Sequence, residues 1–533
     1  MTNRRGKLVV FALLVALALV SFWRGFDAPA LPMDEGMLLV CPELLLKGQL
    51  PYRDFHLTKG PGNLAILSAA YTVFGANIFA ERAVGLTYRL IILLAIFGIA
   101  QRWGAIVAAG CVFTSALFLA NTDLMAHTWI AAAAFALCSL WMLANVDSAW
   151  RSFSGGVFAG MALLCRLDLG TALILSSLPL FLSLQPMRKR MFLVGAAVAL
   201  APFVFLSIVT GPSQVVRSLL VFPIFHLFPD RYMPITSAKG DVVCLFGWQL
   251  IASVVNVAAA IMTLRAQSGR HLGRLLLSVA LFGFALAFYA LERADSIHAP
   301  LAGFISISFL PLSIFVLLSS SASMLPRSFR PVLAILIVIL GLQLSLPVFT
   351  RYFYRNLRVS VGLSPARQAS KIGEELEPGD KGIFIKRNGR SFPFMTTQTA
   401  QDADDILAEL ERVSSPGQRL FVGPGDLRFT EYCDTYVYHM LPQLVPATYF
   451  LEMSPASAKT PDSRLTRDVE SADWLLLNRT WDLMNEENPS PEIGPGETNR
   501  AVTEKFDLWW EHGPYLLLRK KTFHNSVMPP PVS

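Results

Sequence analysis

Over roughly the first two thirds of the chain, long apolar runs alternate with short polar turns. The runs at 8–23, 85–100, 105–120, 128–145, 153–165, 169–184, 192–210, 242–264, 275–291, 301–319 and 331–348 predict eleven helices. Each approaches the about 20 residues that a helix needs to cross a bilayer. Basic clusters at Gln101-Arg102, Trp150-Arg151, 187–190 ("MRKR"), 265–274 and 326–330 ("PRSFR") fall at alternate turns, so all face the cytoplasm under the positive-inside rule and the N-terminus lies inside. A further apolar run at 64–79, counted as a span, inverts every later turn. It is therefore expected to be an interfacial or re-entrant helix on the outer side. The two arms around Arg166 are short and suit a tilted hairpin. "VFPIFHLFPDRYMP", 221–234, is apolar but broken by three prolines, and is expected to lie at the outer interface.

From about residue 355 the pattern changes. Strand-like stretches ("GIFI", "RLFVG", "WLLLN", "PYLLLR") alternate with polar, helix-compatible ones such as "DADDILAELERV". The chain is read as a polytopic α-helical membrane protein of about eleven transmembrane helices with outer juxtamembrane helices, residues 1–354. A soluble α/β domain, 355–533, comes next, in the outer compartment. Ala28-Pro29-Ala30 also has the small-residue form of a signal-peptidase site. Whether or not the first run is cleaved, the loop after it lies outside.

Composition narrows the class. Of 533 residues, 53% are hydrophobic and 16% charged, which excludes a soluble single-core enzyme. The formal charge of +7 sits mainly in short loops, where it sets topology, and no basic stripe with interleaved aromatics points to nucleic acid. Cys111, Cys138 and Cys165 lie in apolar runs, Cys244 at the edge of one, and Cys41 and Cys433 outside them without C-x-x-C spacing. They define neither a disulfide framework nor a zinc site.

Sorting charged residues by side collects a constellation outside. The first outer loop carries Asp34, Glu35, Arg53, Asp54, His56 and Lys59; the second, Asp123 and His127; the third, Arg166 and Asp168. The next two carry His226, Asp230, Arg231 and Lys239, then Glu292, Arg293, Asp295 and His298. Each has a local explanation. Asp34 suits the first turn of an amphipathic helix that Gly48 ends. Asp123 and His127, at i,i+4, suit mutual capping or two ligands of a divalent metal. Arg166 and Asp168 suit an ion pair at a helix tip, although a charge at membrane depth costs roughly 2.5–3.5 kcal/mol and usually faces a polar cavity. In the tail, "FVGPGDLR" lacks a phosphate-loop ending and reads as an ordinary turn, and His439 as packed among aromatics.

"MDEG" after the first run, then "GQLPYRDF" and "TKGP", then a polytopic remainder, resemble the lipid-phosphosugar-dependent glycosyltransferases of the GT-C class. The nearest in appearance are the protein O-mannosyltransferases and lipid A aminoarabinose transferases. The resemblance covers about residues 1–350. It implies a catalytic acid at Asp34 with Glu35 beside it, a second outer acid at Asp123, and a basic residue at Arg166, with Asp168 as a departure. It also implies inverting transfer of a sugar from a polyprenyl-phosphate donor to an extracytoplasmic glycan, lipid or protein, at a bacterial cytoplasmic membrane.

The residue types suit that chemistry. A carboxylate takes the proton of an acceptor hydroxyl as it attacks the anomeric carbon, and cations stabilise the departing phosphate. Arg166 and Arg293 are favoured for the phosphate, with Lys59, Arg53 and His298 as further candidates and His56, Asp168 and Asp295 in support. A sugar carried on polyprenyl phosphate needs no nucleotide, no cofactor is assigned, and a divalent metal stays open. Two other readings fit a charged helical bundle: a transporter or flippase of lipid-linked glycan, and a non-catalytic envelope scaffold.

Overall fold

The computed structural model describes residues 4–144, 148–266, 269–320, 326–370, 379–459, 463–483 and 494–521. Every apolar run that predicted a span is helical. The helices are α1 (Arg4–Phe22), α4 (Ile78–Ala100), α5 (Ala105–Leu119), α6 (Thr128–Leu143), α7 (Ala149–Cys165), α8 (Leu167–Leu182), α9 (Pro186–Thr210) and α12 (Gly240–Arg265). Then come α13 (Arg270–Ala285) with α14 (Ala287–Glu292), α15 (His298–Ser308) with α16 (Leu310–Ser320), and α17 (Arg330–Ser345). Among the described residues, six helices are long and apolar enough to cross a membrane; the arms α5, α6 and α8 are shorter. Burial separates their roles. The window over α15 and α16 is 78% buried and that of α9 only 11%, so α9 turns an apolar surface of Leu193, Val198, Phe205 and Ile208 outward, towards lipid.

Between α1 and α4 lie α2 (Asp34–Leu46) and α3 (Gly62–Phe74). At 13 residues α3 is short, as the topology required. Gly48 and Gly75, at φ +85° and +75°, supply the left-handed conformation that ends α2 and α3. Two details go beyond the sequence pattern. In the proline-rich stretch the chain stays helical from α10 (Pro212–Val216) through two π-helical segments to α11 (Phe228–Arg231), which ends before Pro234. Pro212, Pro223 and Pro229 occupy early positions of their segments, where the missing N–H matters least, and the wider turns absorb the rest. The last run also ends early: the chain turns by 100° after α17 into α18 (Pro347–Ser360). That helix buries Phe349, Phe353 and Asn356 against the end of α5, where Asn356 donates to Ala120 O at 3.0 Å.

In the tail, β1 (Ile383–Arg387) and β2 (Arg390–Phe394) form an antiparallel hairpin, followed by α19 (Thr397–Val413) behind a capping box of Thr396 and Thr399. A five-stranded mixed sheet has the order β4-β3-β5-β7-β6, from β3 (Arg419–Pro424), β4 (Val445–Pro446), β5 (Trp474–Asn478), β6 (Phe506–His512) and β7 (Tyr515–Lys520). All four strand-like stretches read in the sequence fall on strands. Between β3 and β4 runs α20 (Tyr436–Met440), which packs against α2.

Candidate functional site

Asp34 is the first residue of α2, and the later α2 positions on the same face, Met37, Leu38 and Cys41, line a cavity. Leu57, Lys59 and Gly60 form a second wall, Asn63, Leu64 and Leu67 of α3 a third, and His127, Thr128 and Glu452 close it. It opens to solvent, and about 580 Å³ of empty space, open solvent included, lies between these walls. Asp34, the first outer acid of the sequence reading, therefore meets a lysine, a histidine and a carboxylate contributed by the tail.

The wall at 50–60 is a tight turn. Tyr52 sits at φ +71° with its hydroxyl donating to Lys59 O at 2.9 Å, and Leu50 N–H donates to Asp54 Oδ2 at 2.8 Å. The glycines of "TKGPG" allow it to rest on the end of α7. A Cβ on Gly60 would lie 2.0 Å from Leu164 O, and one on Gly62 2.9 Å from Leu164 C. Lys59 is thus delivered into the cavity, where Nζ lies 3.3 Å from Glu452 Oε1. Arg231, at the end of α11, lies 3.7 Å from the same oxygen. Burial disfavours a charged Glu452, but Lys59 and Arg231 outweigh it and hold the carboxyl down to about 2.

Opposite, His127 Nε2 lies 3.3 Å from Asp123 Oδ1, while Met125 N–H donates to the same oxygen at 3.0 Å. Burial opposes both charges. Asp123 nevertheless raises the His127 pKa, with Asp34 adding to the effect, and His127 lowers that of Asp123. Asp34, His127 and Asp123 are therefore electrostatically connected, which the i,i+4 spacing alone only half revealed. Arg89 of α4 fixes this loop from behind, donating to Met125 O, to Thr122 Oγ1 and to Asp123 O.

Other residues singled out from the sequence lie elsewhere. Glu35 points away from the cavity and is buried, with Arg82 donating to its two oxygens at 2.7 and 2.9 Å. Arg82 also bonds the carbonyls of Gly25, Phe26 and Ala28, so the pair anchors the entry to α2. Arg53 is half exposed and holds Asp54 at 2.8 and 3.0 Å. His56 is buried among Phe222, Tyr449 and Phe450; burial pushes its pKa down to about 4, so it is neutral there. His439 is buried too, with Arg390 beside Nδ1 at 3.2 Å.

Arg166 and Asp168 form the ion pair expected at a helix tip, at 2.6 and 3.0 Å, with the guanidinium 5.0 Å from the Tyr289 ring centre. Tyr289 in turn lies 5.6 Å from His298, which binds Asp295 at 2.7 Å alongside Arg293 at 2.8 Å. These residues form a second charged cluster beside the cavity, outside its lining residues. Backbone pairing of Met233 with Arg293 connects it to α11, and so to Arg231 and Glu452. Among the described residues, no group of three His, Cys, Asp or Glu side chains converges to hold a metal ion. All six cysteines are free.

No family model matches the sequence, and no curated protein matches it. Solved structures do. ArnT from Cupriavidus metallidurans bound to undecaprenyl phosphate aligns over 97% of this chain and 98% of its own, at 14% identity and a TM-score of 0.54. Its apo form aligns over 96% and 98%, at 15% identity and 0.53. The cryo-EM structure of arabinofuranosyltransferase AftD from Mycobacteria aligns over 98% of this chain and 40% of its own, at 13% identity and 0.45. The chain is a multi-pass helical membrane protein with the fold of ArnT, the GT-C architecture that its first outer loop already resembled.

Proposed function

We propose that this protein is an inverting glycosyltransferase that moves a sugar from a polyprenyl-phosphate donor to an extracytoplasmic acceptor in an envelope glycan, lipid or protein. It acts in a bacterial cytoplasmic membrane with the N-terminus inside and the tail domain outside. One observation carries the reading. In a fold shared with an undecaprenyl-phosphate-bound protein, Asp34 opens onto the same cavity as Lys59, His127 and Glu452.

In this scheme the acceptor oxygen attacks the anomeric carbon, its proton passes to Asp34, and the bond from that carbon to the phosphate oxygen breaks, releasing polyprenyl phosphate. Direct displacement inverts the configuration. His127, whose protonated form Asp123 and Asp34 favour, lines the same cavity as Asp34. The developing phosphate charge goes to Lys59 and Arg231, which converge on Glu452 and exchange that partner for phosphate. Arg166 and Arg293, already held by Asp168 and Asp295, contribute field from the neighbouring cluster. This order differs from the sequence expectation, which favoured the two arginines, because Lys59 is the cation that lines the cavity. Glu35 serves as the anchor of α2.

The test uses purified full-length protein with a labelled polyprenyl-phosphate sugar and envelope extract as acceptor. Asp34→Asn abolishes transfer while leaving the unfolding temperature unchanged, and Lys59→Met weakens use of the donor. Wild-type turnover by Asp34→Asn would remove Asp34 from its role.

A further inference from the structure

The tail sheet lies far from α2 in sequence, yet the two are interlocked on both sides of Asp34. Met33 is 1% exposed and packs in the tail's own hydrophobic cluster with Phe421, Leu427, Cys433 and Leu475. One residue earlier, Pro32 O accepts from Tyr436 N–H at 3.1 Å. Two residues after Asp34, Gly36 meets α20 so closely that a Cβ there would lie 2.5 Å from Tyr436 N. The glycine of "MDEG" therefore serves the approach of the tail. At the far end of the helix, Glu43 takes two hydrogen bonds from Arg390, at 2.5 and 2.7 Å, and Arg390 also donates to His439 O at 2.9 Å. Upstream, Ala30 N–H donates to Pro393 O at 2.8 Å and Gly382 N–H to Asp27 O at 2.7 Å.

We propose that the tail domain is a built part of the active centre, which aims Asp34 by gripping α2 at both ends, and that Arg390 is a positioning residue acting through Glu43. The assignment rests on the transferase reading above. A helix held at residues 32, 33, 36 and 43 has no freedom to turn while those contacts stand. The tail therefore cannot swing aside to fetch an acceptor without displacing the carboxylate. A further contact, Glu452 against Lys59, joins the same unit.

The experiment compares Arg390→Met, Arg390→Lys, Gly36→Ala, the single reversals Glu43→Arg and Arg390→Glu, and the exchange Glu43→Arg/Arg390→Glu, all in the full-length protein. Steady-state transfer from a polyprenyl-phosphate sugar is one readout. Maleimide labelling of Cys433, located by mass spectrometry, is the other, and it needs no activity. Arg390→Met is expected to lower kcat about tenfold with donor KM within about twofold, Arg390→Lys to recover part of the loss, and the exchange to recover more than either single reversal. Cys433, buried in the unperturbed protein, labels faster in Gly36→Ala and Arg390→Met.

Wild-type kcat in Arg390→Met and Gly36→Ala, with Cys433 still protected, overturns the proposal. So does a rise in donor KM at unchanged kcat, which assigns Arg390 to binding. A wild-type protein that transfers no sugar at all defeats the transferase reading instead. The labelling arm then still decides the interlock: equal protection in every variant overturns it.

Discussion

Gly60→Ala isolates the fit between the Lys59 turn and the end of α7. The new Cβ would sit 2.0 Å from Leu164 O, whereas real Cβ contacts do not fall below 3.0 Å, so the two backbones must part by at least the difference, 1.0 Å. Neither side yields by a side-chain rotation, because the obstacle is a main-chain carbonyl. Overpacking of this kind costs about 1–3 kcal/mol of stability. Lys59 moves with the turn, and a misplacement of about 1 Å at a reacting site lowers the rate up to roughly 100-fold, or about 2.7 kcal/mol of barrier. The control is Gly48→Ala. It carries the same methyl and a backbone strain of about 1–2 kcal/mol at φ +85°, but meets open space and lies away from the cavity. Transfer assays and thermal unfolding on both proteins should show comparable destabilisation, with a large loss of kcat in Gly60→Ala alone. Gly60→Ala with wild-type kcat would refute the argument that this contact places Lys59.

Breaking the buried Glu35–Arg82 pair, by Glu35→Gln or by Arg82→Met, strands a charge at a site 1–2% exposed and should cost about 3–5 kcal/mol in thermal unfolding. The apolar double variant Glu35→Leu/Arg82→Met should be more stable than either single, and a surface-like loss below about 0.5 kcal/mol in the singles would contradict the assignment. His56 sets an acid limit. Its folded pKa of about 4 lies below the ordinary value of 6.5, so the unfolded chain takes the proton first. Its contribution is complete above pH 6.5 and is lost as pH falls towards 4, with a slope approaching about 1.4 kcal/mol per pH unit. His56→Phe should flatten that limb of a stability profile; an unchanged slope would place the proton elsewhere. The Asp123–His127 pair works in the opposite direction for its histidine. The raised His127 pKa makes its contribution complete below the unfolded value and lost as pH rises through the folded one, while Asp123 loses its own as pH falls through its lowered pKa. Asp123→Asn should move the basic limb to lower pH, which NMR titration of His127 reads directly.

The helices were legible because each span repeats one signal over many residues, and the basic turns between them fixed their order. Parity also argued against a full span at 64–79, where α3 has 13 residues. Asp34 and Lys59 were legible through "MDEG" and "TKGP", whose glycines prove to mark backbone contacts with Tyr436 and Leu164. Glu452 was not. It is held by Lys59, 393 residues away, and nothing in "TYFLEMSP" distinguishes it from a surface glutamate. Glu35 looked like part of the acid pair because adjacent carboxylates suggest shared work. On a helix, adjacent side chains diverge by about 100°, so one faces the cavity and the other the core. Arg82, which settles the matter, was hidden at the start of an apolar run. The prolines of 221–234 gave no sign of the π-helical register, because a rule about one missing N–H cannot anticipate it.

The grip of Arg390 on Glu43 joins positions 347 residues apart. At synthesis rates of about 5–20 residues per second, α2 waits roughly 20–70 s after its own translation before that partner exists. Met33 waits longer, since its cluster includes residues up to Phe506. The carboxylate expected to do the chemistry is thus made early and set late. A chain stalled, or cut, within the membrane helices carries Asp34 without the surface that aims it. On the proposed reading the interlock acts as a completeness check: the grip on α2 is complete only with the last strands to leave the ribosome.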